Sequence, residues 1–439
     1  MDMLSTPKEL RDSNTNIQGA GFQNSCPETL IDLAIESNIE RIEKAFVEPD
    51  NPFFVADLGQ VARLHRTWKQ LFPEVHPYYA VKCNPDPTLL KCLADLGTGF
   101  DCASVEEMRT VFSLGVHPSR ILFANPCKSA TAMNFAHQAG VMLTTFDNLD
   151  ELERIKVHLP DAALLLRIYA HDDGALICLS EKFGAHLDMA KSLVSRAWDL
   201  QLNIVGVSFH VGTGASDPQA FCQAVEHARH VFSLAKRQGF QPTILDIGGG
   251  FQDNSLISMA SVIRASIKIE FDSQVTVIAE PGRYYARSAY TLISQVIARR
   301  CQIGTSAATG VPDMLYQNDG VYGNFMNVIM EKEVMIPRLL RRKLSENGSI
   351  ARAMHKSEKR KTNGTVSVAA NYRYSIWGPT CDSTDCVVRD MKFEAEVRAG
   401  DWLIYNNMGA YTLATTTQFN GFGRNCPIIY VNSERVPEH

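Results

Sequence analysis

Between about residues 75 and 285, short runs rich in Val, Ile, Leu and aromatic residues alternate with longer stretches whose apolar positions recur at three- and four-residue steps. The short runs predict strands at 76–82, 99–103, 121–125, 143–146, 163–169, 204–210, 244–247 and 275–280. Stretches such as 87–96, 105–114, 187–200 and 218–238 predict helices between them. Eight strands alternating with helices predict a closed (β/α)₈ TIM-like barrel, with functional side chains at the C-terminal ends of the strands. After about residue 290 the pattern changes to Val-, Thr-, Tyr- and Gly-rich runs with turn residues, as in Ala399-Gly-Asp-Trp-Leu-Ile-Tyr and Pro427-Ile-Ile-Tyr-Val, which predicts an all-β domain. The expected division is an N-terminal segment over 1–51 partly joining the β domain, a barrel over 52–290 and a β domain over 291–439. A basic stretch between Arg338 and Asn363 (Arg341, Arg342, Lys343, Lys356, Lys359, Arg360, Lys361) reads as a solvated insertion, or as a dock for an acidic partner.

Composition changes this picture little. The chain has 439 residues, 45% of them hydrophobic and 21% charged, enough to bury a sizeable core without metals or disulfides. A net charge of −5 argues against a general grip on nucleic acid or an anionic bilayer. No apolar run approaches the ~18 residues of a membrane span, and Met1 to Cys26 lacks the basic start and apolar run of a secretory leader. The eleven cysteines are scattered without a C-x-x-C pair, so neither a zinc site nor a disulfide framework is expected. These features lead to the expectation of a cytoplasmic protein with reduced thiols and no metal. Asn347-Gly-Ser and Asn363-Gly-Thr then match the glycosylation pattern by chance.

Four constellations carry candidate chemistry. Pro77-Tyr-Tyr-Ala-Val-Lys82 ends the first barrel strand with a lysine. Lost hydration in a barrel mouth is expected to lower its pKa and free the amine for imine chemistry; alone, such a lysine is as well a surface residue. Phe209-His210-Val-Gly212-Thr213-Gly214 and Asp246-Ile-Gly248-Gly249-Gly250-Phe are glycine turns after strands, where backbone can approach a phosphate. Each alone is equally a tight turn, and neither has dinucleotide-fold spacing. Together with the lysine they suggest a phosphorylated cofactor held by an imine, a description that pyridoxal phosphate (PLP) fits. Ala279-Glu280-Pro-Gly-Arg283 adds a carboxylate able to keep a pyridine nitrogen protonated, or else a strand-end ion pair. Trp377-Gly-Pro-Thr-Cys381-Asp382-Ser-Thr-Asp385 places a thiol and a carboxylate in a loop, or a turn cysteine and an Asx turn.

From about Cys26 to Val431 the sequence resembles the eukaryotic ornithine decarboxylase family of alanine-racemase-type, group IV PLP enzymes. The resemblance rests on Tyr78-Tyr-Ala-Val-Lys-Cys-Asn-Pro, Gly97-Thr-Gly-Phe-Asp-Cys-Ala-Ser, Phe209-His-Val-Gly-Thr-Gly, Leu245-Asp-Ile-Gly-Gly-Gly-Phe, Ala279-Glu-Pro-Gly-Arg-Tyr, Gln317-Asn-Asp-Gly-Val-Tyr-Gly, Ile376-Trp-Gly-Pro-Thr-Cys-Asp and Asn407-Met-Gly-Ala-Tyr. It implies a barrel followed by a β-sandwich or Greek-key barrel domain, and a PLP-dependent amino-acid decarboxylase. Position by position it implies that Lys82 holds PLP as an imine, Glu280 pairs with the ring nitrogen and His210 stacks on the ring. Asp101, Glu107 and Arg167 would lie around the lysine and ring oxygen, and Thr213, Gly248, Gly249, Gly250, Arg283 and Tyr411 would cradle the phosphate. It further implies a homodimer in which Cys381 and Asp382 complete the partner subunit's barrel mouth, Cys381 returning a proton to the α-carbon and Asp382 receiving the substrate's distal ammonium. Lys182 and Asp385 match a pair that bridges subunits.

The chain departs from the pattern at Met330-Glu331, where ornithine-specific relatives carry an aromatic residue and Asp. The longer carboxylate arm leaves two substrate readings open: ornithine to putrescine, or an ornithine-like amino acid with a substituted side chain in specialised alkaloid metabolism. A racemase on the same architecture is disfavoured by the Cys381-Asp382 loop. A catalytically silent regulatory homologue is disfavoured because the cofactor positions are all retained.

Overall fold

The computed structural model describes residues 27–44, 51–171, 181–214, 217–253, 255–303, 310–344, 350–353, 372–423 and 426–434. They fall into two compact units, one built from 1–59, 290–408 and 415–439 and the other from 60–289 and 409–414.

The second unit is the barrel. After β1 (Phe53–Asp57), which belongs to the other unit, the strands are β2 (Val75–Ala80), β3 (Gly99–Cys102), β4 (Ile121–Phe123), β5 (Leu143–Phe146), β6 (Ala163–Arg167), β7 (Asn203–Ser208), β8 (Ile244–Asp246) and β9 (Thr276–Ala279). They pair in parallel in chain order, and β2 closes the ring against β9 through Val75↔Val277. All eight predicted strands are present, most one or two residues shorter at the C-terminal end. There the chain leaves the ladder for the loops that carry the site. Leu122, Leu165 and Ile278 fill the barrel interior as one buried cluster, each contributing roughly 1.5–3 kcal/mol by leaving water.

The helices start where a short polar side chain satisfies an N-terminal backbone N–H. Asp86 accepts from Thr88 N ahead of Pro87–Asp95, Ser104 caps Val105–Ser113, Ser129 caps Ala130–Ala139 and Asn148 caps Leu149–His158. Asp217 does the same for Pro218–Gln238, which ends on the left-handed Gly239 (φ 113°). An aromatic cluster joins Trp68 to Phe72, Phe251, Tyr284 and Tyr285 at ring separations of 5.1–6.4 Å, while the Trp68 indole donates to Val75 O.

The first unit is a nine-stranded, mostly antiparallel sheet. Its strands are β1, β10 (Tyr290–Arg300), β11 (Asp313–Gln317), β12 (Arg338–Leu344), β13 (Ile350–Ala353), β14 (Tyr372–Trp377), β15 (Cys386–Phe393), β16 (Trp402–Tyr405) and β17 (Ile428–Val431). Pro27–Lys44 packs Ala34, Ile35 and Ile39 into its core with Phe53, Ile293, Leu340 and Trp402.

Two boundaries differ from expectation. The barrel does not begin at residue 52, because Phe53–Asp57 pairs with β10 and β17; conversely, 409–414 joins the barrel unit. The stretch opening at Arg338 is not a loop there: Arg338, Leu339 and Leu340 pair with Ile404, Leu403 and Trp402, and β12 turns back as β13. Leu340 is buried, and that apolar residue in a basic run is what ties the strand to the core. Lys356, Lys359, Arg360, Lys361, Asn347, Asn363, Cys26 and Cys178 lie outside the described residues. The nine described cysteines are all free thiols, and no described helix is long and apolar enough to cross a membrane.

Candidate active site

The C-terminal ends of the barrel strands surround a cavity lined by Ala80, Lys82, His210, Thr213, Gly214, Gly250, Phe251, Glu280, Gly282, Arg283 and Tyr411. Lys82 sits in a single 3₁₀ turn directly after β2. Register places Ala80 opposite Asp101 of β3, and the Lys82 ammonium donates to Asp101 Oδ2 at 2.5 Å. The lysine side chain is 42% accessible because it borders the cavity, whereas Asp101 is fully buried. Burial pulls the Lys82 pKa down, as the sequence suggested, but the charges of Asp101 and Glu280 outweigh it and raise the pKa overall. The lysine of the cofactor-free site is therefore an ammonium ion that must release a proton before it attacks.

Glu107 lies within electrostatic range of this pair, but its carboxylate takes the Ala103 N–H at 2.5 Å. Ser104 Oγ in turn accepts from Glu107 N, which caps the start of Val105–Ser113. Arg167 ends β6, half-buried, with its guanidinium 5.3 Å from the Phe183 ring. His210 accepts the Gly212 N–H through Nδ1 at 3.1 Å, which leaves the ring proton on Nε2. Burial, then the positive charges of Arg167 and Lys82, push its pKa well below the usual histidine value, so the ring is neutral.

The glycine turn after β8 has no room for side chains. A Cβ on Gly248 (φ +65°) would lie 2.2 Å from Phe209 O, and one on Gly249 would lie 2.7 Å from His210 Nε2. Arg283, buried at the start of Arg283–Ala286, places its guanidinium 5.0 Å from the Tyr411 ring. Tyr411 has a left-handed backbone (φ 54°), a conformation costly for a side chain of its size. Its N–H donates to Cys83 O, beside the reactive lysine.

These residues fit PLP. An amine, a neutral aromatic ring, a buried carboxyl at Glu280, and glycine backbone beside Thr213 and Arg283 converge on one cavity. Sequence reasoning gave no role to Asp246, although it opens the glycine motif. Its signal was a carboxylate at a strand end one residue before the turn, and it is fully buried.

The other predicted residues lie in the β unit. Cys381 is exposed, its N–H donating to Asn420 Oδ1. Asp382 forms the Asx turn foreseen as the plainer reading, accepting Thr384 N at 2.7 Å and Thr384 Oγ1 at 2.8 Å. Tyr322, part of a quoted motif but given no role from the sequence, donates its hydroxyl to Asp382 Oδ2 at 2.9 Å and stacks on Phe419. The Thr384 N–H, then the two hydroxyls, hold the Asp382 pKa below the usual carboxylate value. Asp385 is buried, its oxygens taken by Val321 N, Thr380 N and Thr380 Oγ1. Met330 ends the short helix Met326–Met330 and is 58% exposed, while Glu331 caps it and is buried.

Comparison with known proteins agrees with this geometry. Residues 58–287 match the family described as pyridoxal-dependent decarboxylase, pyridoxal binding domain. The chain is 44% identical over 427 residues to an ornithine decarboxylase of Neurospora crassa, covering 92% of this chain and 86% of that one. It is 42% identical over 384 residues to decarboxylase flvG of Aspergillus flavus, covering 87% and 86%. Among solved structures, the arginine decarboxylase of Paramecium bursaria Chlorella virus superposes with a TM-score of 0.79 at 35% identity, covering 90% of this chain and all of that one. The chain belongs to the pyridoxal-dependent decarboxylases, and it is an amino-acid decarboxylase whose cofactor is PLP.

Proposed function

We propose that the enzyme decarboxylates a basic L-amino acid of the ornithine type, giving putrescine from ornithine, as a homodimer with shared active sites. The observation that carries the site assignment is the convergence of Lys82, held by Asp101, with His210 and Glu280 on one cavity beside a glycine turn without room for side chains. PLP, when bound, supplies the electron sink for the pair left on the α-carbon as carbon dioxide departs. Lys82 is the amine that would hold the cofactor, and Asp101 keeps that amine oriented and charged until the cofactor arrives. His210, neutral and fixed by Gly212, offers an uncharged face to the ring. Glu280 would face the ring nitrogen, while Thr213, Gly248, Gly249, Gly250, Arg283 and Tyr411 would hold the phosphate.

The relatives named for ornithine decarboxylation support the substrate class. In this reading Asp382, Glu331 and Met330 receive the distal part of the substrate, and Cys381 returns the proton to the α-carbon. Cys381 and Asp382 would act in the second copy's barrel mouth. The Asp382 carboxylate is held ionised by Thr384 and Tyr322, which suits it to an ammonium group. A cytoplasmic place in polyamine synthesis accompanies this reading.

A second reading is a substituted ornithine-like substrate in specialised alkaloid synthesis. It is favoured by Met330 and Glu331, where a flexible, 58% exposed thioether precedes a carboxylate one methylene longer than aspartate. A panel of ornithine, lysine, arginine, diaminobutyrate and N-substituted or branched analogues, read as released carbon dioxide and amine mass, separates the two. Ornithine dominating the panel supports the first reading. Poor turnover of ornithine beside a well-used modified amino acid overturns it in favour of the second.

A further inference from the structure

Asp246 ends β8 and Glu280 follows β9, and the two strands run side by side with Asp246 opposite Ile278. Glu280 N donates to Gly248 O at 2.7 Å, which draws the two strand ends together. Asp246 is fully buried and Glu280 nearly so, and the two carboxyl groups are close enough for each to shift the other's pKa. Asp246 Oδ1 accepts the Gly248 N–H at 2.9 Å. Asp246 Oδ2 is buried and meets no N–H or hydroxyl donor. Two ionised carboxylates present only acceptors, so neighbouring Glu280 can satisfy Asp246 Oδ2 only when one of the four oxygens carries a proton. Two negative charges close together away from water also repel strongly.

The surrounding charges point the same way. Lys82 after β2 and Arg167 of β6 are cationic; Asp101 of β3 is anionic, Tyr78 of β2 is un-ionised and His210 after β7 is neutral. One negative charge on the carboxyl pair together with Asp101 balances the two cations; a fully ionised pair leaves the buried site negative. Burial, then repulsion by neighbouring carboxylates, lifts both groups above the usual carboxylate range, Asp246 to about 7.

We infer that Asp246 and Glu280 share a single proton in the cofactor-free site, and that Asp246 is the positioning residue that makes Glu280 a proton donor toward the cofactor's ring nitrogen. The inference rests on the assignment of Glu280 to that nitrogen. On binding, the Glu280 O–H bond breaks, the ring nitrogen's lone pair takes the proton and Glu280 remains as carboxylate. The negative charge gained by the pair is matched by the positive charge on the ring it touches, so no proton is drawn from solvent. The Gly248 N–H stabilises the Asp246 carboxylate throughout.

Calorimetric titration of the full-length protein with PLP, at about pH 7 in buffers of different ionisation enthalpy, counts protons exchanged per cofactor. In Asp246→Asn the repulsion by Asp246 is lost, so the Glu280 pKa falls and the variant takes up more protons on binding than the wild type, up to one per cofactor. An equal count in the two proteins overturns the inference. Infrared spectra supply a readout without cofactor. The wild type is expected to show a protonated-carboxyl stretch at neutral pH that is lost in Asp246→Asn and Glu280→Gln and restored in Asp246→Glu. No such band in the wild type overturns the shared proton, whether or not the asparagine variant folds. Glu280→Gln binding PLP with unchanged absorption and proton count removes the donor role through its assignment to the ring, a failure distinct from loss of the infrared band.

Discussion

Gly249→Ala tests the site at its tightest point. Gly249 has no left-handed backbone angle, so alanine is conformationally acceptable and the perturbation is purely steric. The new methyl would lie 2.7 Å from His210 Nε2 and 2.9 Å from Glu280 O, against the roughly 3.5–4.0 Å at which such atoms attract. Glu280 O is backbone, fixed at a strand end, so the imidazole must move. Moving it breaks the Gly212 N–H bond to Nδ1, worth roughly 0.5–1.5 kcal/mol, and adds overpacking strain of ~1–3 kcal/mol. Part of that strain relaxes into the open cavity, so the loss of PLP affinity should be on the order of 10- to 100-fold. Titrating PLP by its absorption band measures the affinity, and circular dichroism checks the fold. Gly248→Ala provides the contrast, since φ +65° and a 2.2 Å approach to backbone Phe209 O should cost folding itself. PLP affinity in Gly249→Ala within twofold of the wild type would refute the claim that His210 and the glycine turn bound the cofactor.

Three further predictions address different parts of the molecule. The buried Lys128 ammonium contacts Glu151 at 2.8 Å and Thr145 O at 2.7 Å; Glu151→Ala strands that charge and should cost ~3–5 kcal/mol, more than the double change Lys128→Met with Glu151→Leu. Urea midpoints of both proteins decide it, and a double variant less stable than the single one counts against the reasoning. Burial lifts Asp319 to about 6, above its unfolded value, so its contribution to stability is complete below about pH 4 and is lost as pH rises through 6, ~3 kcal/mol in all. Asp319→Asn should remove that slope, read as the wild-type-minus-variant difference in unfolding free energy from pH 4 to 7; a flat difference contradicts it. Finally, mixing Lys82→Ala with Cys381→Ala protein should restore roughly a quarter of wild-type activity through mixed dimers with one intact site, whereas no recovery after subunit exchange argues against shared sites.

Much of the barrel was legible because its signals are local. Each strand is a short apolar run, and each capped helix announces itself with Asp86, Ser104, Ser129, Asn148 or Asp217 beside its first turn. The β unit was legible only as a class. Its strands pair across distant segments, so nothing near Phe53 in the sequence reveals that it lies against Ile293, and nothing near Arg338 reveals Ile404. The basic character of 338–344 suggested solvent, yet the pairing of Leu340 with Trp402 made it a core strand.

The site divides along the same line. Which residues gather at the barrel mouth follows from their places at strand ends, because a parallel barrel brings all of its C-terminal ends to one rim. Their states did not follow. Lost hydration alone predicts a lysine with lowered pKa; Asp101, nineteen positions away in sequence, reverses the sign. Asp246 reads as part of a glycine turn until β8 and β9 place it against Glu280. Sequence by itself determined the repeating βα pattern, the family and the identity of the reactive groups, since these are written in local order. Only the tertiary structure decided their charges and partners, because electrostatic interaction depends on distance and burial, which the fold sets between residues far apart in the chain.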